Sequence, residues 1–160
     1  MQGYWYNKIK MKPKGFTLIE LLLTIAIIGI LATISFSVLN PARQLAKARD
    51  SQRKTDIYSI AGAVYQFASE HSGDLPDTDG NPLTSNFPTT ATCIGTGASC
   101  FNLAAAGASE PIVPTYMAVM LKDPKTGTDA NTGYLINKDA NGRIVLSATG
   151  EVDNPITVTK

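Results

Sequence analysis

Few residues in this chain can do chemistry. Its 160 residues include one His, His71, and two Cys, Cys93 and Cys100. One His argues against a His-rich metal or catalytic centre. Two Cys cannot complete a four-ligand zinc site or a disulfide framework. Ser51-Gln52-Arg53-Lys54 has the form S-x-x-K, and Lys125-Thr126-Gly127 has the form K-T-G. Together they match two elements of serine penicillin-binding enzymes, but the S-D-N element is missing. The soluble part, about 120 residues, is also too small for that fold. No G-x-x-x-x-G-K-[ST] loop occurs, so the chain does not hydrolyse nucleotide itself. No residue is assigned a catalytic role, and the chain is read as a non-enzyme.

The remaining chemical oddity is Glu20. It is the single ionisable group in Phe16–Asn40, a run of 25 residues. As a helix this run is about 37 Å long, against a hydrocarbon core of about 30 Å. It is too long for a secretory signal core, and a basic, polar helix follows instead of a small-residue cleavage site. A carboxylate at mid-membrane costs roughly 2.5–3.5 kcal/mol, less near an end. Glu20 therefore either reaches the interface or meets a positive charge. No Lys or Arg inside the run supplies one. A cut just before Phe16 creates an α-amine, and the amine of a neighbouring subunit is the natural partner.

Charge divides the chain. Lys8, Lys10, Lys12 and Lys14 precede the run with no acid among them, and residues 16–160 hold ten basic and thirteen acidic side chains. Arg43, Lys47, Arg49, Arg53 and Lys54 follow the run, so the positive-inside rule does not orient it.

Lys14-Gly15-Phe16-Thr17-Leu18-Ile19-Glu20-Leu21-Leu22 resembles the class III signal of type IV pilins and type II secretion pseudopilins. The likeness continues through Ile27-Ile28-Gly29-Ile30-Leu31-Ala32 and covers about 25 residues closely. It implies an α+β pilin fold, with a long N-terminal helix packed on a small antiparallel sheet. It implies cleavage between Gly15 and Phe16 by a prepilin peptidase, N-methylation of Phe16, and pairing of Glu20 with a neighbour's N-terminal amine. The implied partners are copies of the same chain in a helical filament, an inner-membrane assembly platform, a separate ATPase, minor pilins or pseudopilins, and lipid before assembly. Where many relatives have proline, this chain has Ser37; Pro41 follows four residues later. Asn40-Pro41 reads as an N-cap and a first-turn proline. Gly29 and Pro41 are thus the candidate kink positions.

The organisation expected is a leader at 1–15, a transmembrane or filament-core helix at 16–40, an amphipathic continuation at 41–72 and a head at 73–160. Ile57, Ile60, Ala61, Val64, Phe67 and Ala68 share one helix face. The basic part, 43–54, reads as a solvated or subunit-facing surface. It lacks the aromatic interleaving of a nucleic-acid groove, which argues against DNA as a partner. Gly73 and Pro76 stop the helix, and His71 complements its dipole.

Residues 77–114 read as a connecting loop with a short helix near Leu103–Ala106. Cys93 and Cys100 read as a disulfide closing an eight-residue loop, worth roughly 2–3 kcal/mol; free thiols and a metal pair are the alternatives. A disulfide implies an oxidising exterior. That makes a single-pass cytoplasmic-membrane protein with a cytoplasmic leader and an extracytoplasmic head. Tyr134–Ile136, Ile144–Leu146 and Ile156–Thr159 read as strands, with a hairpin turn at Asp139–Gly142. Met117–Leu121 is a further strand or a helical turn.

Calcium is the one cofactor considered. Asp77-Thr78-Asp79-Gly80-Asn81 alternates oxygen donors, but Pro82 and Pro88 stand where an EF-hand has Gly and Glu. Turn chemistry is the better reading there. Asp123, Asp129, Glu151 and Asp153 are the other candidate ligands. The function expected is a structural filament subunit, in a surface pilus or a secretion pseudopilus. A competence-type DNA-uptake pilin and a non-polymerising, membrane-anchored binding module are the alternatives.

Overall fold

The computed structural model describes residues 15–80, 85–107 and 110–160. Residues 1–14 of the expected leader, Asn81, Pro82 and the side chain of Ser37 lie outside the described residues. The chain divides into two compact units between Pro41 and Ala42.

The first unit is built on helix α1, Leu18–Leu39. It runs through Gly29 without interruption, so the candidate kink there is not seen as a break. The break falls at Asn40, whose φ of 33° and ψ of 81° are left-handed. Asn40 therefore ends α1 as its C-cap, a role open to Asn because it tolerates this region. It is not the extended N-cap expected from the Asn-Pro pair. Pro41 opens the next helix, where its missing N–H costs nothing.

Helix α2, Pro41–Glu70, belongs to the second unit from Ala42 onward. Its buried face holds Ile57, Ile60, Ala61, Ala63, Val64 and Phe67. Ser72 and Gly73 take positive φ, and the Gly73 N–H donates to the Ala68 carbonyl at 2.7 Å, which stops the helix. His71 lies just past that end. Its ring stacks on Phe67 with centroids 3.9 Å apart, and Nδ1 is 2.9 Å from the Phe67 carbonyl oxygen.

Four strands form an antiparallel sheet in sequence order: β1 (Thr92–Cys93), β2 (Tyr134–Lys138), β3 (Ile144–Ala148) and β4 (Ile156–Thr159). The β2–β3 hairpin closes on Asp139. Its Oδ1 accepts from the Asn141 and Arg143 amides, each at 2.8 Å. Inward-facing Tyr134, Ile136, Ile144, Leu146, Ile156 and Val158 pack in one core with the α2 stripe. The fold is α+β.

The connecting loop contributes to that core through Phe87, Ile94, Phe101, Leu103, Ala106 and Ile112. The helix expected near Leu103–Ala106 is instead a pair of turns. The Ala105 and Ala106 amides both donate to the Asn102 carbonyl, and Gly107, at φ 109°, then donates to Asp77. Met117–Leu121 forms neither strand nor helix. The short helical turn α3 lies earlier, at Ile112–Thr115, with an extended Val113 inside it. Asp77 behaves as a turn residue, its Oδ1 accepting from the Gly80 amide at 3.0 Å.

Candidate functional site

Gly15, Phe16 and Thr17 precede α1 and are not helical. Thr17 is extended, and its Oγ1 accepts the Glu20 N–H at 3.2 Å. This is one half of a T-x-x-E capping box. It fixes the helix start two residues beyond the Gly15–Phe16 bond. Glu20 falls in the first turn, where the partial positive charge of the helix end favours a carboxylate.

The large apolar side chains from Leu18 to Ile34 are exposed on every side of α1. A helix apolar all round must be covered by lipid or by other protein. Residues Leu18–Ser35 are long and apolar enough to cross a membrane. The polar groups in this stretch are largely self-satisfied. Thr24, Thr33 and Ser35 donate to the carbonyls of Leu21, Ile30 and Leu31 at 2.7–3.0 Å. Hydroxyls bonded to their own helix spare hydrocarbon an open donor. Gly29 is open: a Cβ there meets nothing within 4 Å. The chain's own packing therefore does not require glycine at this position.

The second unit holds a polar cluster that hydropathy reading missed. Asp50, Arg53 and Asp56 are buried on the same α2 face as Ile57 and Ile60. Arg53 makes a two-pronged contact with Asp123, Nε to Oδ2 and Nη2 to Oδ1. Its Nη1 donates to Asp50 at 2.7 Å and to Glu151 at 3.1 Å. Asp50 in turn accepts the backbone N–H groups of Glu151, Val152 and Asp153 at 2.7–3.0 Å. Arg49 and Lys125 complete the cluster on Glu151. Among the described residues no buried side-chain polar atom lacks a partner.

Burial works to raise the pKa of Asp123. Arg53 and the amides of Lys125 and Thr126 outweigh it and hold the carboxyl down at about 2. Burial opposes ionisation of Asp50 too, but the three amides and Arg53 keep its pKa far below the usual range. Bonds from Arg49 and Lys125 lower that of Glu151. Asp56 is the exception. Burial raises its pKa, although the Tyr134 hydroxyl donates to it at 2.6 Å.

The Lys125-Thr126-Gly127 segment is part of this cluster. Its amides hold Asp123, and a Cβ on Gly127 would collide with the Asp123 amide and the Thr132 carbonyl. Ser51 and Lys54 are exposed on α2.

The four candidate calcium ligands are dispersed in their bonding. Asp123 and Glu151 meet at Arg53, Asp129 pairs with Lys122 at 2.9 Å, and Asp153 is exposed. Among the described residues no three His, Cys, Asp or Glu side chains gather as a metal site. Cys93 and Cys100 are joined by a disulfide. Gly95 and Gly97 inside that loop lie against the Ala130 carbonyl, which docks the loop on the segment before β2.

Residues 10–36 match the prokaryotic N-terminal methylation motif. The chain is 38% identical over 64 residues to the type IV major pilin protein PilA of Myxococcus xanthus; the match covers 40% of this chain and 28% of that protein. It is 42% identical over 66 residues to the fimbrial protein EcpC of Eikenella corrodens, covering 41% and 39%. The matched stretches span about a third of these relatives' length. No solved structure matches. The chain is type IV pilin-like and carries a prepilin-type methylation motif.

Proposed function

We propose that this chain is a structural subunit of a type IV filament. A prepilin peptidase cuts between Gly15 and Phe16 and methylates the new amine of Phe16. The α1 helix anchors the subunit in the membrane with its head outside, and then becomes part of the filament core. One observation carries this reading: the methylation motif coincides with a helix that is apolar on all sides and covered by nothing in its own unit.

Assembly exchanges lipid contacts for helix contacts, so the hydrophobic effect does not drive it. Close packing and specific polar pairs must supply the preference. The open surface at Gly29 allows a neighbouring helix to approach closely. Glu20 supplies the polar pair, accepting from the N-terminal amine of the adjacent subunit. The head's disulfide fits an oxidising location. Both relatives are named as pilus or fimbrial proteins, which favours a surface pilus over a secretion pseudopilus.

The test is mass spectrometry of the N-terminal peptide from the envelope fraction. A chain beginning at Phe16 and heavier by one methyl group supports the reading. A chain retaining the residues before Phe16 overturns it and leaves a membrane-anchored binding module.

A further inference from the structure

The core-facing rows of the sheet end in lysine. Along β2, Tyr134 and Ile136 are buried and Lys138 comes next on that face. Along β4, Ile156 and Val158 are buried and Lys160 comes next. Ile144 stands between the two lysines. It is the register partner of Lys138, and it exchanges hydrogen bonds of 2.8 and 3.0 Å with the Lys160 backbone. Directly opposed residues share a face. Lys138, Ile144 and Lys160 therefore make one rung on the face that packs against α2. The alternation of a half-buried sheet calls for apolar residues at such positions.

The rung has this freedom because α2 stops at Glu70. Between the last turns of α2 and the rung lies a pocket of about 590 Å³. That is the volume of a small-molecule site.

The charge of this pocket is opposite to that of its surroundings. Residues 55–160 carry eleven acids and five bases. Lys122 and Lys125 are paired with Asp129 and Glu151, and Arg143 is held by Asp139. Among the described residues, Lys138 and Lys160 are the cations of this stretch whose side chains have no partner. Both line the pocket with Arg143, and Asp74 is the single acidic side chain among its lining residues. The half-exposed ring of Tyr65 forms another part of the wall, beside the hydroxyl of Ser69 and the amide of Asn141.

We propose that this pocket binds an acidic sugar, a ring bearing a carboxylate. The carboxylate meets the Lys138–Lys160 pair. The apolar face of the ring lies on Tyr65, and Ser69 and Asn141 serve its hydroxyls. A bare inorganic anion would have no use for the aromatic wall. An acidic peptide would call for a longer groove.

The test is calorimetric titration of the full chain in detergent with trigalacturonate, its methyl ester, and a glutamate peptide of equal charge. Trigalacturonate is expected to bind, more weakly as salt rises, and the other two are not. The double variant Lys138→Gln/Lys160→Gln should weaken binding about tenfold or more. Tyr65→Ala should also weaken it. Tyr58→Ala, on α2 but outside the pocket, should not. Absence of trigalacturonate binding overturns the proposal, as does binding untouched by the lysine substitutions. Equal binding of the peptide or of the methyl ester overturns the assignment to an acidic sugar.

Discussion

Arg53 on α2 and Asp123 ahead of β2 are 70 residues apart in sequence, yet their side chains meet in the interior through two hydrogen bonds. Arg53 also binds Asp50 and Glu151, so one guanidinium joins α2 to the loop at 123–126 and to the turn after β3. Its planar fork suits this role, because several donors must meet several carboxylates at fixed angles. Removing one partner from a buried charge cluster strands the others, typically at about 3–5 kcal/mol. We therefore expect Arg53→Ala to lower stability by about that amount. Arg53→Lys should recover little of it, because an ammonium cannot make the two-pronged contact with Asp123. Thermal melting followed by circular dichroism checks both; a Lys variant as stable as wild type would show that charge alone suffices.

Acid should act on this cluster in a defined direction. A carboxyl whose folded pKa is depressed adds stability above its unfolded pKa, and loses it as pH falls through the folded value. Asp123, held at about 2, thus withdraws support between about pH 4 and pH 2. Asp50 acts in the same sense. Asp56 has the opposite sign. Its raised pKa means that the folded state holds the proton more tightly, so its contribution is lost as pH rises. Asp56→Asn removes the buried charge and keeps an acceptor for the Tyr134 hydroxyl. Its melting temperature at neutral pH should equal or exceed that of wild type, whereas that of Asp123→Asn should fall. Melts of both variants from pH 2 to 8 decide. A loss in Asp56→Asn as large as in Asp123→Asn would show that the Asp56 charge is itself stabilising.

The apolar elements were legible because their spacing is their cause. The α1 run, the stripe from Ile57 to Phe67, and three of the four strands follow from periods that hydropathy reveals. The polar cluster was hidden for a physical reason. Positions 50, 53, 57, 60, 64 and 67 continue one stripe at steps of three and four. Its first two members are charged, so a reading by hydropathy stops at Ile57 and assigns 43–54 to a solvated or subunit-facing surface. The partners of Arg53 lie 70 and 98 residues away, beyond the reach of local patterns. The same gap hid the bonds of Asp123 and Glu151 to Arg53, which the sequence offered only as candidate cation ligands. Strand β1 was missed because two residues carry no alternation; pairing of Thr92 and Cys93 with Ile136 and Leu135 creates it.

The disulfide sets a further expectation. Cys93 belongs to β1, and the eight-residue loop to Cys100 rests against Ala130. In the chain-entropy picture, opening a loop of this size costs about 2.5 kcal/mol. Cys93→Ser/Cys100→Ser should be destabilised by roughly that much, with the loss seen first as faster amide exchange at Thr92 and Ile94. The α2 stripe should stay protected until global unfolding. Exchange that rises equally in α2 and in β1 would mean that the disulfide supports the whole head and not only its edge.

Glu20 has two roles open to it, and they can be separated. The Thr17 hydroxyl accepts the Glu20 amide, so Glu20 occupies the third position of a capping box, where either Glu or Gln serves the helix start. Pairing with a neighbour's amine instead needs the charge. Glu20→Gln removes the charge and keeps a side chain able to complete the box; Glu20→Ala removes the charge and that side chain, and leaves the backbone bond to Thr17 in place. If charge pairing drives assembly, both variants enter the membrane fraction and neither yields sedimentable filaments. Capping alone predicts that Gln assembles like wild type and that only Ala fails. The experiment is fractionation of the two variants beside wild type, with filaments recovered by shearing and ultracentrifugation. We expect filament yield to fall at least about tenfold for Glu20→Gln, because an unpaired amine among apolar helices leaves a charge with no compensation.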